Sequence, residues 1–174
     1  MRRSIIYCAI VGLLACHGGG GSNIRLGDGT RYVNHSGDAQ WVTLPDNSRV
    51  KLNSGTEIVL GVGFANGNRV VDLDGEGMFE IRPVAGKTFV VTTKNLIIQA
   101  PAAKFVVDAV RSKPGEEVDL LEGRLKIRKS YHSDLDSVAE ELSSGDMLMI
   151  NREIDLMEKE RMNPDELEKV KGKF

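Results

Sequence analysis

The chain has 174 residues and only two cysteines, Cys8 and Cys16, both near its start. Everything beyond Cys16 therefore has neither a free thiol nor a disulfide, and a domain built there is held by burial alone. Histidine is scarce: His17, His35 and His132 lie far apart in polar surroundings and lack metal-ligand spacing, so they read as exposed loop residues. Aromatics make up 5% of the chain, with Trp41 as the sole tryptophan, which leaves little material for aromatic ligand platforms. The longest basic run is Lys126-Ile127-Arg128-Lys129, too short for a nucleic-acid-binding face. No run reaches the about 20 apolar residues that a membrane-crossing helix needs.

Two positive charges, Arg2 and Arg3, precede an apolar run from Ile5 to Ala15. A charged start, a short apolar stretch and a small residue before a cut predict a secretory signal peptide over residues 1–15. Leu13-Leu14-Ala15-Cys16 resembles a bacterial lipobox, which implies a lipid on the Cys16 thiol and acylation of the new amino terminus. The bland alternative is an ordinary secreted protein with a chance cysteine. Residues 16–29 then read as a lipidated tether, flexible because of Gly18 to Gly21 and Ser22. Without Arg2 and Arg3, the 23 basic and 25 acidic residues become 21 and 25, a net charge of −4. Hydrophobic residues at 41% and charged residues at 28% mark a globular chain, long enough for one domain with a core.

From residue 30 the rhythm is period two. Trp41 to Leu44, Arg49 to Asn53, Glu57 to Leu60, Arg69 to Leu73 and Met78 to Ile81 read as strands. Thr88 to Thr92, Asn95 to Gln99, Lys104 to Val110, Val118 to Leu121, Arg124 to Ile127 and Met147 to Ile150 continue the pattern. Turns are expected at Pro45 to Ser48, Asn66-Gly67, Asp74-Gly75, Lys113 to Gly115 and Glu122-Gly123. The expected fold is all-β: many short antiparallel strands in a sandwich or solenoid-like arrangement over residues 30–150, followed by a helical tail over 151–174. In that tail Asn163-Pro164-Asp165-Glu166 predicts a capped helix start, and Gly172 its end. Ser130 to Glu141 reads as a polar loop, with a helical turn at Ser137 to Leu142. Leu73, Phe79, Phe89 and Leu121 are expected in the core, and Trp41 with them.

Catalytic signatures are missing. Asp72 to Gly77 begins like a calcium loop, but its twelfth position is Pro83 instead of glutamate, so a β-turn is the better reading. Ser54-Gly55 and Ser144-Gly145 lack the frame of a nucleophile elbow. Gly61-Val62-Gly63 does not make a phosphate cradle. Glu116-Glu117 and Glu140-Glu141 read as solvated faces. No cofactor, metal or catalytic residue is assigned.

Leu44-Pro45-Asp46-Asn47-Ser48-Arg49-Val50-Lys51-Leu52-Asn53 resembles the strand and Pro-Asp-Gly-Ser turn of the FecR protein domain. Asn68 to Ile81, with Arg69, Gly75, Glu76, Phe79 and Glu80, is similar to that family's Arg-x-Val-x-Leu-x-Gly-Glu core. Phe89 to Thr93 and Leu120-Leu121-Glu122-Gly123-Arg124 match later strands, and Phe105 survives where Ala100 to Val107 otherwise departs from the pattern. The resemblance covers about residues 40–150. It implies a periplasm-facing, non-enzymatic module of envelope signalling. Typical members relay between a cytoplasmic sigma factor and an outer-membrane TonB-dependent transducer through a membrane helix. Only Met1 to Ser4 precede the leader, so no sigma-binding segment is expected, and an accessory role or a remnant follows. The lipid would hold the protein on a membrane, the outer before the inner. A structural or polysaccharide-binding β domain is the alternative, and it would require exposed aromatics such as Trp41.

Overall fold

The computed structural model describes residues 29–133 and 138–174. The leader, Cys16 and nearly all of the tether lie outside them. The strands are β1 (Arg31–Val33), β2 (Gln40–Thr43), β3 (Arg49–Leu52), β4 (Glu57–Leu60), β5 (Val70–Ile81) and β6 (Phe89–Thr92). They continue with β7 (Leu96–Ala100), β8 (Ala103–Ala109), β9 (Gly115–Lys129), β10 (Glu140–Ser143), β11 (Asp146–Asn151) and β12 (Leu156–Arg161). The helix α1 (Pro164–Gly172) follows.

Two sheets share the long strands β5 and β9. The first half of β5 pairs with β4 and, in parallel, with β6, while its second half pairs with β3 and β8. Similarly β9 pairs first with β8 and β11, then with β7 and β10. One sheet thus holds β1, β4, β6, β7 and β10, and the other holds β2, β3, β8, β11 and β12. Their inner faces close on a single apolar core. Phe79 and Phe105 of the second sheet stack at 5.2 Å, and Phe89 of the first meets Phe79 at 6.5 Å. Each is fully buried, which stabilises the fold by about 2–3 kcal/mol per ring.

The passage between sheets corrects the expected turns at Asp74-Gly75 and Glu122-Gly123. Neither is a turn. Both glycines sit inside continuous strands with positive φ, 117° at Gly75 and 96° at Gly123, and bend the strand from one sheet into the other. In β9 the bend coincides with a bulge, since Lys104 faces Glu122 while the next residue, Phe105, faces Leu120. The extra residue inverts the alternation. Before the bend the even positions Val118 and Leu120 face the core, and after it the odd positions Leu125 and Ile127 do. That inversion is why one strand reads as two in the sequence.

Other differences have local causes. Residues 140–142, read as polar loop and helical turn, belong with Ser143 to β10 on the edge of the first sheet, because Leu142 enters the core opposite Leu125. Met147 to Ile150 is not the last strand: β12 follows, with Met157 packed on the core. Its Glu158, Lys159, Glu160 and Arg161 would place like charges opposite one another in a self-paired antiparallel edge, so the edge is protected against association. Lys159 instead reaches the first sheet, with Nζ 3.3 Å from the Glu141 carbonyl.

Candidate functional site

The residues of the sequence motif converge on architecture. Leu44 and Ser48 close a tight turn, with Pro45 exposed and Asn47 at φ 63°. Asp46 Oδ1 accepts from the Ser48 amide at 2.9 Å. Arg69, whose side chain is 1% exposed, enters from the start of β5. Its Nε donates to Asp46 Oδ2 at 2.8 Å and its Nη2 approaches the same oxygen at 2.7 Å. The guanidinium also donates to Ser48 Oγ, the Arg82 carbonyl and the Lys87 carbonyl at 3.2, 2.7 and 3.1 Å. Its carbon lies 5.2 Å from the centre of the Phe89 ring. A buried cation is tolerated only when its donors are matched in this way, so Arg69 joins the 44–48 turn to the 82–87 loop.

A second group forms around Glu76. Asn53 Nδ2 donates to Glu76 Oε2 at 2.6 Å, Thr56 Oγ1 bonds the Glu76 backbone at 2.9 Å, and Lys173 pairs with Glu76 Oε1. A third links Glu80 to Arg49 and, at 3.2 Å, to Lys104. Burial opposes ionisation of Glu80, but the Arg49 and Lys104 hydrogen bonds outweigh it and hold its carboxyl below the usual range. This third group lines an open groove of about 490 Å³ that includes Arg82, Glu122 and Gly123.

Trp41 is not in the core. It is 43% exposed on the edge strand β2, with the Arg49 guanidinium 4.5 Å from its ring centroid. Leu121 is buried, but on the outer face of the second sheet with Met78 and Val106, beneath α1. Leu44, Leu73, Phe79, Phe89 and Phe105 do lie in the core.

Three buried polar groups were missed in the sequence. Glu116, read as solvated, is 5% exposed and accepts from Thr93 Oγ1, the Asn95 amide and Asn95 Nδ2. Burial raises its pKa above these opposing bonds. Lys129 Nζ, also buried, meets Asp155 Oδ1 at 2.8 Å. Ser133 and Tyr131 donate to the same carboxylate, and the Lys129, Ser133 and Tyr131 bonds lower Asp155 to about 2. Their signal was parity: Glu116 and Lys129 fall in register with the core positions of β9.

The third, Asp119, faces outward and is 3% exposed. Burial, then the charge of Glu117, with Glu76 and Asp108 adding and Lys173 opposing, pushes it up to about 7. A raised folded-state pKa gives stability that is complete below the unfolded value of about 3.9 and lost as pH rises through the folded one. Asp119→Asn keeps the neutral form at every pH. In urea unfolding it is expected to exceed the parent by about 2 kcal/mol at pH 8, below a linkage limit of about 4, with no gain at pH 4.

Among the described residues no three His, Cys, Asp or Glu side chains are grouped to hold a metal ion. No helix there is long and apolar enough to cross a membrane.

Fold and motif together define an all-β two-sheet domain whose signature residues bend strands and tie turns. A family model described as FecR protein matches residues 30–126, more than half of the chain, and the chain belongs to this family. No curated protein matches. Two crystal structures of a candidate anti-sigma factor from Parabacteroides distasonis share the fold, at TM-score 0.68 and 23% and 24% identity. The similarity covers 77% of this chain, which spans 60% of the length of those solved chains.

Proposed function

We propose that this protein is a periplasm-facing FecR-like lipoprotein, a non-enzymatic binding module in sigma/anti-sigma or TonB-dependent envelope signalling. The observation that carries the reading is the FecR match over residues 30–126, the stretch that runs from β1 into the second half of β9. The similar Parabacteroides protein, a candidate anti-sigma factor, supports the signalling role. The motif carboxylates and arginines act in holding the scaffold, which favours recognition over catalysis. Leu13-Leu14-Ala15-Cys16 supports the lipid anchor.

One experiment addresses anchor and partner together. Cells expressing the chain are fed an alkyne palmitate analogue, and envelope complexes are then purified. Labelled parent, unlabelled Cys16→Ser and recovery of an anti-sigma protein or TonB-dependent transducer are expected. Equal labelling removes the anchor, and recovery of no envelope protein removes the signalling role.

The exposure of Trp41 beside the Arg49–Glu80–Lys104 groove favours one second reading, a polysaccharide-binding β domain. It predicts glycan-array binding that Trp41→Ala reduces at least tenfold. Absence of glycan binding by the parent eliminates it.

A further inference from the structure

The outer face of the second sheet is apolar at its centre and acidic to one side. Met78, Val106 and Leu121 stand there, outside the main core, on β5, β8 and β9. They are 5%, 1% and 9% exposed, and the residues packed on them are Leu167, Val170 and Phe174 of the α1 segment. Leu167 and Val170 share one face of α1, and Phe174 continues that face just beyond the helix end. No residue of α1 is itself fully buried. The helix is nine residues long and starts at a capping box directly after β12. Helices of that length are marginal on their own, so α1 depends on this shallow contact.

The charge beside the apolar centre is unbalanced. Glu76, Asp108 and Glu117 are cross-strand neighbours in one row, and Asp119 lies in the next row beside Val106. Against these four carboxylates stand Lys173, paired with Glu76, and Lys113, paired with Asp108 at 2.6 Å. Asp108 Oδ1 is buried without a hydrogen bond, and Glu117 and Asp119 share the charge of Lys173, which is already paired with Glu76. Lys173 thus answers part of the negative charge that the face presents.

We infer that this face is a docking surface for a helix of a partner protein, with α1 as its displaceable occupant. The partner helix carries an aliphatic or aromatic stripe at i, i+3 and i+7, and at least two lysines or arginines in its last turn. The stripe replaces Leu167, Val170 and Phe174. The extra cations meet Glu117 and the ionised form of Asp119, which Lys173 answers only in part. Displacement pivots at Asn163 and leaves the core between the sheets closed, because the patch under α1 is a separate cluster from that core.

The test uses the full chain and a fluorescent peptide of residues 162–174, with a second peptide carrying Glu168→Lys and Gly172→Lys. Leu167→Asp with Val170→Asp frees the face, and a thermal melt checks that this variant folds. The freed face is expected to bind the first peptide at least tenfold more tightly than the parent does, and the more basic peptide more tightly still, with a steep loss in salt. Amide shifts should centre on Met78, Val106 and Leu121. In the parent, hydrogen exchange in α1 should be at least a hundredfold faster than in β5. Absence of peptide binding to the variant, shifts away from this face, or α1 amides exchanging as slowly as β5 would each overturn the inference. A stable dimer exchanging α1 between copies would overturn it too, by making a second copy the occupant. If the double variant does not fold, the exchange measurement on the parent decides alone.

Discussion

Replacing Arg69 by methionine is expected to remove about 3–5 kcal/mol of stability, the range for breaking a buried ion pair on one side. Methionine matches the aliphatic stem and packs on Phe89, so the loss isolates the guanidinium. Without it the Asp46 carboxylate, 10% exposed, keeps its desolvation and loses its cation. The carbonyls of Arg82 and Lys87 lose their donor in the same step. Urea unfolding at pH 7 measures the effect. Asp46→Asn should cost less, because its one amide oxygen keeps either the Arg69 Nε bond or the Ser48 amide bond, which now go to separate carboxylate oxygens, and Arg69 keeps its bonds to Ser48 Oγ and the Arg82 and Lys87 carbonyls. The double change should fall well short of the sum, since both act on one network. Additive losses would show that Arg69 stabilises through its packing and not through the turn.

Gly123→Ala is expected to cost about 3 kcal/mol or more. The φ of 96° is strained for any L side chain. An added Cβ would also lie 2.5 Å from the Ala102 carbonyl oxygen and 3.0 Å from Ala103 Cα. Both are backbone atoms, one just before β8 and one at its first residue, so relief requires β8 and β9 to part where the chain passes between sheets. Gly86→Ala is the control: its φ is also positive, 69°, but nothing lies within 4 Å of the added carbon. It should cost about 1 kcal/mol, the conformational share alone. A thermal melt compares the two, and equal losses would mean that the close approach at Gly123 carries no weight.

Much of this protein is legible as pattern. Val50 and Leu52, Val71 and Leu73, and Ile98 and Ala100 alternate into the core as period two requires. Asn163 caps the helix as expected, and Glu166 completes a capping box, with 2.8 and 2.9 Å bonds. The family motif is also legible, but not what it does. Asp46 and Arg69 are 23 residues apart, and nothing in their spacing says that one lies on the other. Trp41 is on the face of β2 opposite Val42 and Leu44, and the sequence of one short edge strand does not say which of its two faces meets the core.

The sequence by itself determined the all-β class, the turn at Pro45 to Ser48, the helix start at Asn163 and membership of the FecR family. Each depends on neighbours within a few residues or on a pattern carried along the chain. Tertiary structure decided the rest. It made Gly75 and Gly123 bends within two long strands, turned Leu121 outward under α1, and crowded Glu76, Asp108, Glu117 and Asp119 onto one face. Those outcomes depend on which strands pair and in what register, and pairing is a contest between distant segments that local preference does not encode.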